Sequence, residues 1–243
     1  MNCSVPGFLL SGNALLFSSP PCLSMAQKPH YKVFIMTSSL DSNTLRKQLR
    51  LQRNALNKTQ QLEHAQTATQ HLMLFLSTFN FHKKTKLNIA FFMAQDGELE
   101  TSLAIQQLWN STPHTLFLPV LQPSQKGHMA FATYTENSPM KKNTFGILEP
   151  DLPQKQLQTA ETMDLVLTPL VGYDSNGNRL GMGGGYYDRT FQFKQQSSKL
   201  STPLLIGWAH HCQHVAQLPV NPWDIPLNGI ITETGFTDFS TQT

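Results

Sequence analysis

The chain of 243 residues, 40% of them hydrophobic and 14% charged, is long enough to bury a sizeable core in one domain, or two at most. A net charge of +3 and a pI near 8.7 are too small an excess for a duplex-binding surface, but they suit a site for phosphates or an acidic small molecule. No apolar run approaches the roughly 18 residues of a membrane span, and three scattered cysteines (Cys3, Cys22, Cys212) make no disulfide framework. The expected partners are small molecules, with no nucleic acid and no membrane, for a monomer in a reducing, cytoplasmic setting.

Residues 1–40 have short apolar runs without a preceding Lys or Arg, so the charged start of a secretory signal is missing. Amphipathic patterning begins only after Met36, and residues 1–40 read as a poorly ordered leader or a misplaced start. A helix follows from Asp41 or Ser42, with Leu45, Leu49 and Leu56 on one face and Arg46, Lys47, Arg50 and Arg53 on a basic side. From charge patterning alone that side is a solvated face. A second helix begins near Thr59, with Leu62, Ala65, Leu72, Met73 and Leu76 as its buried stripe.

Leu87–Met93 reads as a strand, Ser102–Asn110 as a helix and His114–Val120 as a strand. That β-loop-α-β unit implies a parallel sheet whose sites lie at the carboxyl ends of its strands. Glu98 and Glu100 fall at such an end. Glu100 suits the helix start, whereas Glu98 is freer to meet a ligand. His128–Tyr134 is a short strand, and Asn143–Pro153, with two prolines and no period, is loop.

The chain centres on Asp164–Phe191. Leu165–Val171 is a buried strand, Asp174 to Arg179 a polar loop, and Gly181, Gly183, Gly184 and Gly185 a glycine cluster before a helix over Tyr186–Gln196. Strand, glycine loop and helix start together present backbone N–H groups to a phosphate. The cluster is not a dinucleotide fingerprint, because the third position of G-x-G-x-x-G falls on Tyr186 and Arg189–Thr202 contains no acidic residue. It is not a Walker loop either, since no G-K-[ST] follows. Arg179 supplies charge beside it, and Asp188 can hold a metal against phosphate oxygens. Pro203–Ala209 is another buried strand, Pro219–Pro226 a rigid connection carrying Asp224, and Gly229–Thr232 the terminal strand. The fold class is α/β: a single three-layer domain with a central, mostly parallel sheet flanked by helices, spanning 41–235, with 236–243 as a tail.

His210, His211, Cys212 and His214 suggest a metal cluster at first sight. Adjacent histidines on an extended chain point to opposite faces, however, and no second ligand group is near in sequence, so they read as loop histidines. Cys212 as a nucleophile would need a relay geometry that spacing does not supply.

Gly172–Arg189, GYDSNGNRLGMGGGYYDR, resembles the signature of the 5-formyltetrahydrofolate cyclo-ligases, also called methenyltetrahydrofolate synthetases. The resemblance extends over about 41–235, through LRKQLRLQRNAL, FFMAQDGELET, GILEP at 146–150 and LPVNPWDIP at 218–226. It implies ATP- and Mg²⁺-dependent ring closure of 5-formyltetrahydrofolate to 5,10-methenyltetrahydrofolate, releasing ADP and phosphate after phosphorylation of the formyl oxygen. Arg179 and Asp188 would then be catalytic, and Asp188 and Asp224 would hold Mg²⁺ directly or through water. ATP would meet Ser42, Asn43 and Arg46 on the first helix, and Arg179, Leu180, Gly181, Met182, Gly183, Gly184, Gly185, Tyr186 and Tyr187. The folate would meet Met93, Glu98 and Met129, together with Met182, Gly183, Gly184, Gly185 and Tyr186.

Two positions depart from the family pattern. Ser42 and Gly184 stand where many members carry lysine, which removes positive charge from the nucleotide side. They motivate a rival, a folate-sequestering homologue with weakened ATP use. A third reading is an ATP-dependent ligase or kinase on another acidic substrate.

Overall fold

The structure, a computed structural model, describes residues 41–81, 84–196 and 202–240. The expected leader and the last three residues lie outside them. Asp41 caps α1 (Ser42–Asn54) by accepting from the amides of Asn43 and Thr44, and Asn57 closes a capping box on α2 (Lys58–Thr78). β1 (Asn88–Ala90), α3 (Ser102–Ser111) and β2 (Thr115–Leu121) form the expected crossover, with β1 and β2 parallel. β3 (Met129–Thr133) returns antiparallel beside β2. A small hairpin follows, β4 (Met140–Lys142) with β5 (Leu148–Pro150).

The central stretch contributes β6 (Leu165–Thr168), a hairpin of β7 (Gly172–Tyr173) with β8 (Arg179–Leu180), and α4 (Tyr186–Thr190). β9 (Leu204–Trp208), β10 (Gly229–Thr232) and β11 (Gly235–Asp238) complete the chain. The main sheet has seven strands in the order β11-β10-β9-β6-β1-β2-β3. β10, β9, β6, β1 and β2 run parallel, and the two outermost strands are antiparallel to their neighbours.

Both faces of the parallel strands are covered, which is why they read as continuous apolar runs. Leu165, Leu167, Leu204, Ile206 and Trp208 face Ala65, Ala68, Leu72 and Phe75 of α2 and Ala104, Ile105 and Leu108 of α3. Val166, Leu205 and Ile230 alternate to the opposite face, against Phe191, Leu170, Leu227 and Phe239. The layers are unequal, since that second face is covered mainly by loops, 3₁₀ turns and the five-residue α4.

Several elements differ from expectation for identifiable reasons. The basic side of α1 is not all solvated. Arg53 is fully buried, donating to the carbonyls of Asp96 (2.8 Å) and Leu170 (3.1 Å) and to the Asp96 carboxylate (2.9 Å). Leu56 lies beyond the helix end, half-buried, and Leu62 of α2 is 52% exposed. The expected strand 87–93 pairs over three residues only. Phe91 makes the last bond of the ladder, its amide donating to the Phe117 carbonyl at 2.9 Å, and Phe92 is buried beyond it, so the hydrophobicity of Phe92 marks burial rather than pairing. Leu165–Val171 likewise pairs only to Thr168, because the Leu170 carbonyl is taken by Arg53 and Gln213 side chains rather than by a strand.

Asn143–Pro153 is not all loop. Asn143 Oδ1 accepts from the amides of Phe145 and Ile147, folding the β4–β5 hairpin. The helix expected over 186–196 breaks at Phe191 (φ −104°, ψ 16°), whose ring is buried against Phe131, Tyr187 and Phe193, and a 3₁₀ turn continues from Gln192. β11 begins where the sequence suggested a tail.

Candidate active site

The glycine loop hangs between a pinned hairpin and α4. Asp174 is fully buried. Its Oδ1 accepts from the amides of Asn176 and Asn178, and its Oδ2 from Asn178 Nδ2 and the amide of Leu218. The polar loop of the sequence is therefore a rigid turn, and its carboxylate is committed to structure. Leu45 and Leu49 of α1 pack on Val171, Leu180 and Leu218, which brings α1 alongside the loop. Arg46 Nε then donates to the Gly181 carbonyl at 2.8 Å, while its Nη1 donates to Asn43 at 2.9 Å.

Gly183 (φ 94°) and Gly185 (φ 65°) adopt left-handed conformations that suit glycine. Gly184 does not. A Cβ there would lie 3.1 Å from the Tyr186 ring, so a small ring movement would admit a side chain. Met182 is exposed. Arg189 braces the loop by donating to the carbonyls of Gly184 and Gly127, the latter at 3.1 Å.

Arg179 and Asp188, apart in the chain, meet here. Arg179 Nη2 donates to Asp188 Oδ1 at 2.6 Å, and Nη1 donates to the Ile225 carbonyl. The Ile225 amide donates to the same Asp188 oxygen at 3.2 Å. The Arg179 side chain is only 5% exposed and that of Asp188 25%, so the pair is shielded yet open on the carboxylate side. Asp224, next to Ile225, accepts from the Asn221 amide at 2.8 Å through Oδ2.

Glu98 lies on the loop after β1. Its side chain is 13% exposed, Oε2 accepts from the Gln95 amide, and Oε1 is 3.7 Å from Arg53 Nη1. Burial pushes its carboxyl up to about 7, against the pull of Arg53 and the Gln95 amide. Tyr187 lies within electrostatic reach of both Glu98 and Arg179, and burial raises its phenol above the usual range.

Other expected site residues are spread more widely. Met93 packs against the α2–α3 core, whereas Met129 is in β3, its amide bonded to Thr190 Oγ1. Ser42 is simply the first residue of α1. Glu100 does what its position suggested, accepting from the amides of Thr101 and Ser102.

Four residues near the site carried no sequence signal. Arg53 looked like surface charge. Phe145, exposed on the β4–β5 turn, approaches Tyr186 edge-on at 5.8 Å. Thr190 and Arg189 tie α4 to distant backbone. In the histidine segment, burial raises the Cys212 thiol to about 11, which removes it as a nucleophile at neutral pH.

A mostly parallel sheet whose central strand β6 leads into a glycine loop flanked by Arg46, Arg179 and Asp188 defines an α/β protein with its polar groups gathered beyond the carboxyl ends of the strands. The model of the 5-formyltetrahydrofolate cyclo-ligase family matches residues 38–233. The chain is 39% identical over 187 residues to the 5-formyltetrahydrofolate cyclo-ligase of Haemophilus influenzae, covering 77% of this chain and 95% of that one. It is also 39% identical over 184 residues to the Escherichia coli K12 enzyme of that name, covering 76% and 96%. The solved structure of the Aquifex aeolicus 5,10-methenyltetrahydrofolate synthetase has the same fold, with a TM-score of 0.64 at 24% identity over 83% of this chain and 94% of that one. The chain belongs to the 5-formyltetrahydrofolate cyclo-ligase family, and with it to the ligases of folate one-carbon metabolism.

Proposed function

We propose that the chain closes 5-formyltetrahydrofolate to 5,10-methenyltetrahydrofolate at the expense of ATP, with Mg²⁺ as cofactor. The observation that carries this reading is the shielded Arg179–Asp188 pair at the end of the hairpin that delivers the glycine loop. Formamide oxygen is a poor leaving group. In the proposed sequence it attacks the γ-phosphorus and ADP departs. N10 then attacks the formyl carbon, the C–O bond breaks to free phosphate, and N10 loses its proton.

Such transfer needs positioning and charge stabilisation more than covalent help from the protein. Arg179, already oriented by Asp188 and the Ile225 carbonyl, faces the transferring group at no cost of reorganisation. Arg46 fixes the loop from α1 and adds charge on the nucleotide side, where Gly184 offers none. Tyr186, with Phe145 edge-on, provides a flat surface for a ring. Glu98 takes the pterin N–H groups, being most receptive when ionised.

Asp188 and Asp224 fit Mg²⁺ chemically, as hard carboxylates each with one oxygen engaged by protein donors and the other left for a cation or its water. When bound, the ion would neutralise phosphate charge. The reading also carries a monomer acting on small molecules in the cytoplasm, supported by the scattered cysteines.

The test follows methenyl absorbance with 5-formyltetrahydrofolate, ATP and Mg²⁺, omitting each in turn. Product should form only when all three are present, and Arg179→Ala and Asp188→Ala should lower turnover at least a hundredfold. Near-normal rates in both variants would remove the mechanism.

A further inference from the structure

The histidine segment lacked ligands nearby in sequence, but the fold supplies them from a distance. His64 projects from α2, His210 follows β9 and Glu233 follows β10. The three donor atoms lie within 4.8 Å of one another, the one such group of His, Cys, Asp and Glu among the described residues. His64 Nδ1 is 2.9 Å from His210 Nδ1 and 3.6 Å from Glu233 Oε1. Ligands about 2.0–2.1 Å from a tetrahedral ion are roughly 3.3 Å apart, so these spacings bracket the edges of such a site.

The surroundings hold the ligands ready. His210 is fully buried, and its amide donates to Gln213 Oε1 at 2.9 Å. Its Nε2 is buried and has no hydrogen-bond partner. His210 Nδ1 faces His64 Nδ1 across one hydrogen bond, so one of the two nitrogens already offers a lone pair. Glu233 accepts from the His211 amide through both oxygens, at 3.2 and 2.9 Å, which fixes the carboxylate as an outer-shell donor would. His64 and Glu233 are each 16% exposed, enough for an ion to enter.

We propose that His64, His210 and Glu233 bind a divalent transition-metal ion, zinc first among them, that staples α2 to the carboxyl ends of β9 and β10. The proton between the two Nδ1 atoms leaves as the ion enters, and the ring that gave it up takes one from solvent at Nε2, so both ligands remain neutral imidazoles. Two imidazoles and one carboxylate suit zinc, cobalt or iron, whereas Mg²⁺ and Ca²⁺ select oxygen. None of the three ligands is among the residues assigned to ATP or folate.

The experiment uses the full chain, stripped with chelator and titrated with Zn²⁺ alone by calorimetry, and with Co²⁺ for its visible bands. One ion should bind per chain, and Tm should rise by roughly 5–10 °C at a hundredfold excess over Kd. His64→Ala and Glu233→Gln should weaken binding at least about tenfold and lose the Tm rise, while His71→Ala, elsewhere on α2, keeps both. Should the alanine variant fold poorly, the Co²⁺ spectrum of the unaltered chain still reports whether nitrogen ligates. No saturable zinc binding, or equal binding and Tm rise in His64→Ala and Glu233→Gln, would overturn the proposal.

Discussion

Glu98, the carboxyl proposed to meet the folate, also makes stability depend on pH. Its native pKa near 7 is above the ordinary 4.5, so the folded chain holds the proton more tightly than the unfolded chain does. Below about pH 4.5 both states are protonated and Glu98 contributes no slope. Stability then falls as pH rises from about 4.5 to 7, by a ceiling on the order of 3 kcal/mol, and levels off above. Glu98→Gln should remove that slope in denaturant titrations between pH 4.5 and 8, and be the more stable protein at pH 8. It should also raise KM for the folate roughly tenfold or more, because an amide cannot accept two N–H bonds as a carboxylate can. A variant with an unchanged slope would mean that Glu98 is solvated in the folded chain. Asp96 works in the opposite direction. Its bond with Arg50, ahead of that with Arg53, holds its carboxyl at about 2, so its contribution is present at neutral pH and lost below about pH 4.

At the scale of elements, α1 is fastened to the sheet edge by its buried arginine as much as by Leu45 and Leu49. Arg53 links the α1 end to the Asp96 loop and to the Leu170 carbonyl after β6, beneath Glu98. Arg53→Met keeps the apolar stem but leaves the Asp96 carbonyl without its donor and Glu98 without its nearby cation, while Leu170 keeps Gln213 and the Asp96 carboxylate keeps Arg50. A loss of about 1–3 kcal/mol in urea denaturation is expected for the unpaired buried carbonyl, with the Glu98 carboxyl pushed further up. A loss below about 1 kcal/mol would place Arg53 among ordinary surface charges. The sequence could not separate Arg53 from Arg46 and Arg50, since all three follow helical spacing. Only the crossing of α1 over the loops decides which one is enclosed. Arg46 is the contrary case: the resemblance directed it to the nucleotide side, and it does contact the loop.

For the whole molecule, the sheet depends on its antiparallel margin. β11 pairs with β10 from Gly229–Asp238 to Thr232–Gly235, the Phe236 ring meets that of Phe75 of α2 at a tilt, 4.6 Å between centroids, and Phe239 is buried under the opposite face. A chain ending at Thr234 exposes β10 and both aromatic contacts. Burial of an aromatic side chain is worth roughly 1.5–3 kcal/mol, so a fall in Tm of about 6–12 °C is expected by calorimetry. An unchanged Tm would make the strand an ornament of the sheet.

The amino-acid sequence by itself determined the α/β class, the β1–α3–β2 crossover, the buried runs of β6 and β9 and the glycine loop. These rest on local periodicity, turn chemistry and a motif contiguous in the chain. The tertiary structure alone decided where apolar runs stop pairing, which arginine is buried, that Asp174 serves the hairpin, and that Arg179 and Asp188 share a bond. It alone brought His64, His210 and Glu233 together. Each of these depends on side chains from distant segments competing for the same donors and acceptors, and spacing along the chain carries no record of that competition.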